Sequence, residues 1–185
     1  MSVMRMRFLS GVFRRIKTNQ AGVALVEFAV LSPILITLYI GGVQLCEVIA
    51  CARKVTSTAR AVVDLTTQYS SISPQQIDGI MSASNQIMYP YDGASSFIRV
   101  SEIKIDENGV ARVVWSRSKN GSPREYDAEV AIDAVLATPG TMYIYGEAEY
   151  KLKPSMQFVF SGDFTLGDAF VMLPRISTKV NCNDC

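Results

Sequence analysis

From Val23 to Leu45 the chain carries a single charge, Glu27, in a run that is otherwise apolar or neutral. About 23 helical residues rising ~1.5 Å each span roughly 35 Å, more than the ~30 Å of a bilayer's hydrocarbon core. The run therefore predicts a transmembrane helix, and it constrains everything that follows. Of 185 residues, those left beyond the span suffice for one modest domain of about 120 residues.

Glu27 is the anomaly within the run. A carboxylate inside a membrane costs on the order of 2.5–3.5 kcal/mol on insertion scales, so such a residue usually has a partner or a task. Two readings follow. Glu27 is either a passive residue lying shallow in the headgroup region of a plain anchor, or the chain is cut after Gly22. In the second case the new amino group of a neighbouring copy would neutralise Glu27 as helices pack together.

The residues before the run are basic: Arg5, Arg7, Arg14, Arg15 and Lys17, with no acid ahead of Glu27. Set against Arg53, Lys54 and Arg60 beyond the span, they predict a cytoplasmic N-terminus and an extracytoplasmic C-terminal domain under the positive-inside rule. An ordinary secretory signal fits poorly. The apolar core exceeds the usual ~7–15 residues, and the small residue available for cleavage, Gly22, precedes that core where a signal peptide would place it afterwards.

Beyond Leu45 the helix is expected to continue and to stop by Ser70 or Ser71. Val48, Ala52, Val55, Ala59, Val62 and Thr66 recur at spacings of four and three, while Arg53, Ser57, Arg60 and Asp64 share the opposite side. This small, apolar stripe is read as packing on the chain's own domain. Pro33, inside the span, removes one backbone hydrogen bond. Ser73-Pro74-Gln75-Gln76 carries the N-cap, first-turn proline and capping-box glutamine of a second helix, with Ile77, Ile80, Met81, Ile87 and Met88 as its buried stripe.

The remainder reads mainly as strands. Phe97 to Ile105 and Val110 to Ser116 flank Asp106-Glu107-Asn108-Gly109, a hairpin signal. Lys119 to Pro123 is an exposed loop, and Glu125 to Leu136 is read as a short helix. Met142 to Lys153 alternates, with Met142, Ile144, Ala148, Tyr150 and Leu152 on one face and Tyr143, Tyr145, Glu147, Glu149, Lys151 and Lys153 on the other, one of which should be buried. A last strand, Ala169 to Val180, is broken by Pro174 and belongs near an edge. The fold class is α+β: a long N-terminal transmembrane helix continuing into a small extracytoplasmic domain with an antiparallel sheet.

The sequence contains no histidine, which excludes His-based triads and His-ligated metals. No phosphate-binding glycine loop and no clustered basic patch for nucleic acid is present. No cofactor, metal site or enzymatic activity is expected. Cys46 and Cys51 point to different faces of the helix and cannot bridge there. Cys182 and Cys185 end the chain as Cys-x-x-Cys. Outside the cytoplasm they should oxidise to a small loop, whereas a redox motif normally lies between a strand and a helix.

Gly22, four residues, Glu27 and Phe28, set between a basic leader and a long apolar helix, resemble the processing site of type IV pilins. The block Gly22-Val23-Ala24-Leu25-Val26-Glu27-Phe28-Ala29-Val30-Leu31, with Pro33, Gly41-Gly42-Val43 and the Ala-rich continuation to Ala59-Arg60-Ala61, more closely resembles the TadE-like family. These are pseudopilins, or minor pilins, of tight-adherence (Tad/Flp) pilus systems. The resemblance implies cleavage between Gly22 and Val23 by a prepilin peptidase. It also implies residence in the bacterial inner membrane or the pilus, with other pilins and pseudopilins, the inner-membrane assembly platform and membrane lipid as partners. Ser32 stands where many relatives are apolar. The expected division is a cleaved leader at 1–22, the helix at 23–70 and a periplasmic domain at 71–185. The other reading is an uncleaved, single-pass anchored binding domain with no pilus role, and a thiol oxidoreductase stands third.

Overall fold

The structure is a computed structural model and describes residues 21–155, 158–159 and 161–185. The basic leader lies outside the described residues. A single helix, α1 (Ala21–Thr66), runs for 46 residues, about 69 Å at the helical rise. It passes through Pro33 without interruption. Proline lacks the N–H that would reach the carbonyl four residues back, here that of Ala29. The Ser32 hydroxyl donates to that carbonyl, though weakly at 3.5 Å, and Thr37 Oγ1 donates to the Pro33 carbonyl at 2.8 Å. Hydroxyl side chains can thus restore hydrogen bonds around a helical proline where water is absent.

The second helix, α2 (Pro74–Ser84), starts as its sequence predicts. Ser73 Oγ accepts from Gln76 N while Gln76 Oε1 accepts from Ser73 N, a complete capping box. Ile77, Ile80 and Met81 are buried. The helix tightens into a 3₁₀ turn over Asn85–Met88, which leaves Ile87 half-exposed while Met88 remains inside.

Five strands form one antiparallel sheet in the order β4-β3-β2-β5-β6: β2 (Phe97–Ile105), β3 (Ala111–Lys119), β4 (Glu129–Val130), β5 (Met142–Leu152) and β6 (Phe164–Met172). The β2–β3 hairpin turns at Asp106–Gly109, where Gly109 adopts a φ of 80° that glycine accepts without strain. A two-residue parallel pair, β1 (Ser71–Ile72) with β7 (Asn181–Cys182), ties the end of the chain to the exit of α1. The domain is α+β, and its sheet packs on the upper half of α1.

That packing explains the small stripe. Val55, Ala59, Val62 and Val63 are fully buried against Ile98, Val100, Ile144 and Ala148 of the sheet. The approach is closest at Gly146, where a Cβ would stand 2.3 Å from Val63 Cγ2 and 3.3 Å from the Ala59 carbonyl oxygen. Only glycine fits there.

Three expectations need correction. Residues 125–136 do not form a helix: apart from β4 and a 3₁₀ turn at Ala134–Leu136, they are irregular or extended. Ala128, Val130 and Ile132 alternate and cover the sheet's outer face together with Leu136, a period of two that a helix cannot use. As a result Tyr143, on the face of β5 opposite Ile144, is buried as well. The final strand runs over Phe164–Met172 and stops before Pro174, which has no N–H to donate to a ladder. It does form a sheet edge. Finally, β3 extends to Lys119, beyond the expected Ser116.

Candidate assembly helix and its junction with the sheet domain

The two halves of α1 differ in what touches them. From Gly22 to Tyr39 every residue is exposed except Ser32, which is half-exposed. Phe28 is 68% exposed and Leu38 likewise, and Tyr39 reaches 74%. An apolar window of mean hydropathy 2.2 within this helix has none of its residues buried. A core helix of a water-soluble domain would be largely covered, whereas this surface is bare and the helix is long and apolar enough to cross a membrane.

Gly22, Val23, Glu27 and Phe28 all lie on this bare segment. Nothing stands within 4 Å of where a Gly22 Cβ would be, so packing within the protein does not require glycine there. Glu27 is exposed, and among the described residues no hydrogen bond or ion pair reaches its carboxylate. Among the described residues the fold brings these positions near no other element. They stand in line on one helix, about 7 Å of rise separating Glu27 from Gly22.

The bare segment ends at a polar junction that sequence periodicity did not reveal. A Cβ on Gly41 would meet Val159 Cγ1 at 3.6 Å, and Gln44 is 1% exposed with its Oε1 accepting from Val159 N at 3.2 Å. One turn higher, the Glu47 carboxylate accepts from Ser155 N (3.1 Å) and Ser155 Oγ (2.7 Å). The Tyr91 hydroxyl donates to the Glu47 carbonyl at 3.2 Å. The sheet domain thus seats itself from Gly41 upward, within the Val23–Leu45 run that was read as spanning the membrane. The available signal was the return of Gln44 and Glu47, three residues apart and so on one helical face.

The cysteines are divided as their positions predict. Cys46 is exposed and Cys51 is buried. Burial, with the Glu47 charge added, pushes the Cys51 thiol up to about 11, so it packs as an uncharged, unreactive group. Cys182 and Cys185 are joined, with Cα atoms 5.7 Å apart, at the end of the tail that β7 pins to β1.

Two glutamates of the sheet are more than solvated strand residues. Glu147 accepts from Arg99 (Nε 2.6 Å, Nη2 2.9 Å) and from Arg124 (Nε 3.2 Å, Nη2 2.8 Å). Burial pushes its carboxyl up, but the two guanidiniums outweigh that and hold it below the usual range. Glu102, 1% exposed, accepts from Val180 N at 2.6 Å while Trp115 Nε1 donates to the Val180 carbonyl at 2.8 Å. Here burial prevails, and the Glu102 carboxyl is raised despite the Val180 amide and the other partners that oppose it. Among the described residues no group of acids and cysteines is arranged to hold a metal.

The molecule is thus an α+β protein that carries a helix with a bare apolar half long enough for a membrane. Residues 22–64 match the family model described as TadE-like protein. The resemblance read from Gly22 through Ala61 is borne out by this match. The match covers α1 nearly to its end and none of the sheet. No curated protein and no solved structure matches the chain.

Proposed function

We propose that the chain is a TadE-like minor pilin of a Tad-type pilus system, acting as a structural component and not as an enzyme. In this reading a prepilin peptidase removes residues 1–22. The protein is held in the bacterial inner membrane with its sheet domain in the periplasm, and other pilins and the assembly platform draw it into a pilus. The observation that carries the reading is the bare half of α1. From Gly22 to Gly41 the helix rises about 28 Å, close to the ~30 Å of a hydrocarbon core. With the sheet domain seated at Gly41, the Gly22–Val23 bond falls at the opposite membrane face, where a cytoplasmic-side peptidase would meet it.

Glu27 would then sit one to two turns inside, where the amino group that cleavage creates on a neighbouring copy, displaced by about one turn along the axis, would reach it. Opposite charges attract far more strongly in that medium than in water, although desolvation offsets much of the gain. The pair would set register between helices more than it would add stability.

Replacing Glu27 by Gln tests this. Membrane insertion, cleavage and the folded outer domain should be unchanged, while crosslinking to other pilins and surface piliation should fall. Normal crosslinking and normal piliation at wild-type protein levels would make Glu27 passive and favour the uncleaved anchored domain.

A further inference from the structure

After β5, Ser155 and Val159 lie against α1 at the level where the bare helix ends. Their backbone is held there, that of Ser155 on Glu47 and that of Val159 on Gln44. Both acceptors belong to the helix, so the height of Ser155 and Val159 along the helix axis is fixed. Phe158 stands on this support 71% exposed. Val43 and Leu45, at the same level of α1, are 39% and 53% exposed. Lys151 and Lys153, both exposed, lie just before Phe158 at the end of β5.

We propose that Phe158 inserts into the headgroup–acyl boundary of the bilayer that α1 crosses, with Lys151 and Lys153 placed to meet the phosphates of anionic lipids. Three observations favour a lipid surface as the occupant. The exposed apolar surface of α1 continues without a gap through Val43 and Leu45 to the level of Phe158. The apolar side chain is followed, on the side of the sheet domain, by cations, the order in which a membrane interface changes from acyl chain to phosphate. Its height is also right: Gly41, against which Val159 packs, is about 28 Å of helix above Gly22, one hydrocarbon thickness from the opposite face. Ser155, Phe158 and Val159 would act as a collar that fixes how deep α1 sits, and hence the depth of Glu27. This inference rests on the membrane-spanning reading of α1 given above.

Tryptophan fluorescence of the full chain in vesicles of phosphatidylcholine and phosphatidylglycerol tests it. The native Trp115 is buried in the domain and serves as the unquenched background. F158W changes an exposed position, so its thermal unfolding should match wild type and show that the fold is retained. In F158W the added emission should shift to shorter wavelength on reconstitution. It should be lost to lipids brominated high on the acyl chain more than to lipids brominated near its end. L31W, about 15 Å of helix below Gly41, should show the reverse preference. If L31W is quenched and F158W is not, the collar is overturned while the span stands. If neither is quenched, the span itself fails and the collar fails with it.

Discussion

The lower and upper halves of α1 are built from similar residues and meet opposite surroundings. Val26 is 62% exposed and Val63 is fully buried, yet each is a valine on the same uninterrupted helix. The upper half is fitted to a particular neighbour: Gly146, lacking a side chain, leaves room for Val63 and the Ala59 carbonyl to approach its strand. Among the described residues nothing buries the lower half from Gly22 to Tyr39. It is apolar around most of its circumference, with Glu27, Ser32 and Thr37 as polar exceptions, and a stripe facing one partner would not need that. The difference shows that the family match over residues 22–64 covers two environments on one rod, one half packed on the sheet and one half bare among the described residues.

One substitution made in both halves would break or sharpen that comparison. Val63→Ala removes methyl groups from a closed core and should cost about 2 kcal/mol, read as a lower urea midpoint for the detergent-solubilised protein. Val26→Ala should leave that midpoint where it is. Equal losses would mean that the lower half is packed after all.

A smaller effect is expected at Glu147, which belongs wholly to the packed part of the molecule. Glu147→Gln leaves two guanidiniums facing a neutral amide and should cost about 1–2 kcal/mol at pH 7. The folded carboxyl lies below its ordinary value of 4.5, so the wild-type advantage is full above that value and is lost as pH falls through the folded value. Urea unfolding at neutral and acidic pH should show the two proteins converging in acid.

Glu102 should give the smallest change, of opposite sign. Its folded carboxyl is raised above the ordinary 4.5, so the stability linked to it is greatest in acid and is lost as pH rises through the folded value. Glu102→Gln keeps an acceptor for Val180 N and removes the buried charge. It should leave the protein as stable as wild type at pH 7 or more so, by up to about 1 kcal/mol. A loss of stability at pH 7 would show that the charge, and not only the acceptor, holds the tail.

Legibility in the sequence divides along the same line. The long helix, the Ser73 capping box, the β2–β3 hairpin and the alternation of β5 are local patterns, and each appears where periodicity or turn chemistry placed it. Gly22 and Glu27 were also legible, because spacing along one helix is all that relates them. Contacts between distant segments were not. Glu102 meets Val180 across 78 residues, and Ser155 meets Glu47 across 108; no window of sequence spans either. Residues 125–136 misled for another reason. Ala128, Val130 and Ile132 alternate among Glu129, Ala131 and Asp133, and helix-favouring alanines mask a period of two that tertiary packing enforces. Likewise Glu147 read as a solvated strand residue because the arginines that enclose it come from β2 and from the loop after β3.

The central claim is that the bare helix begins its mature life at Val23. The most direct test is the intact mass and N-terminal sequence of the protein recovered from membranes of cells with an active prepilin peptidase. The account predicts a chain that starts at Val23, and a Gly22→Leu variant that inserts normally but keeps residues 1–22. A wild-type protein recovered with residues 1–22 still attached would contradict it.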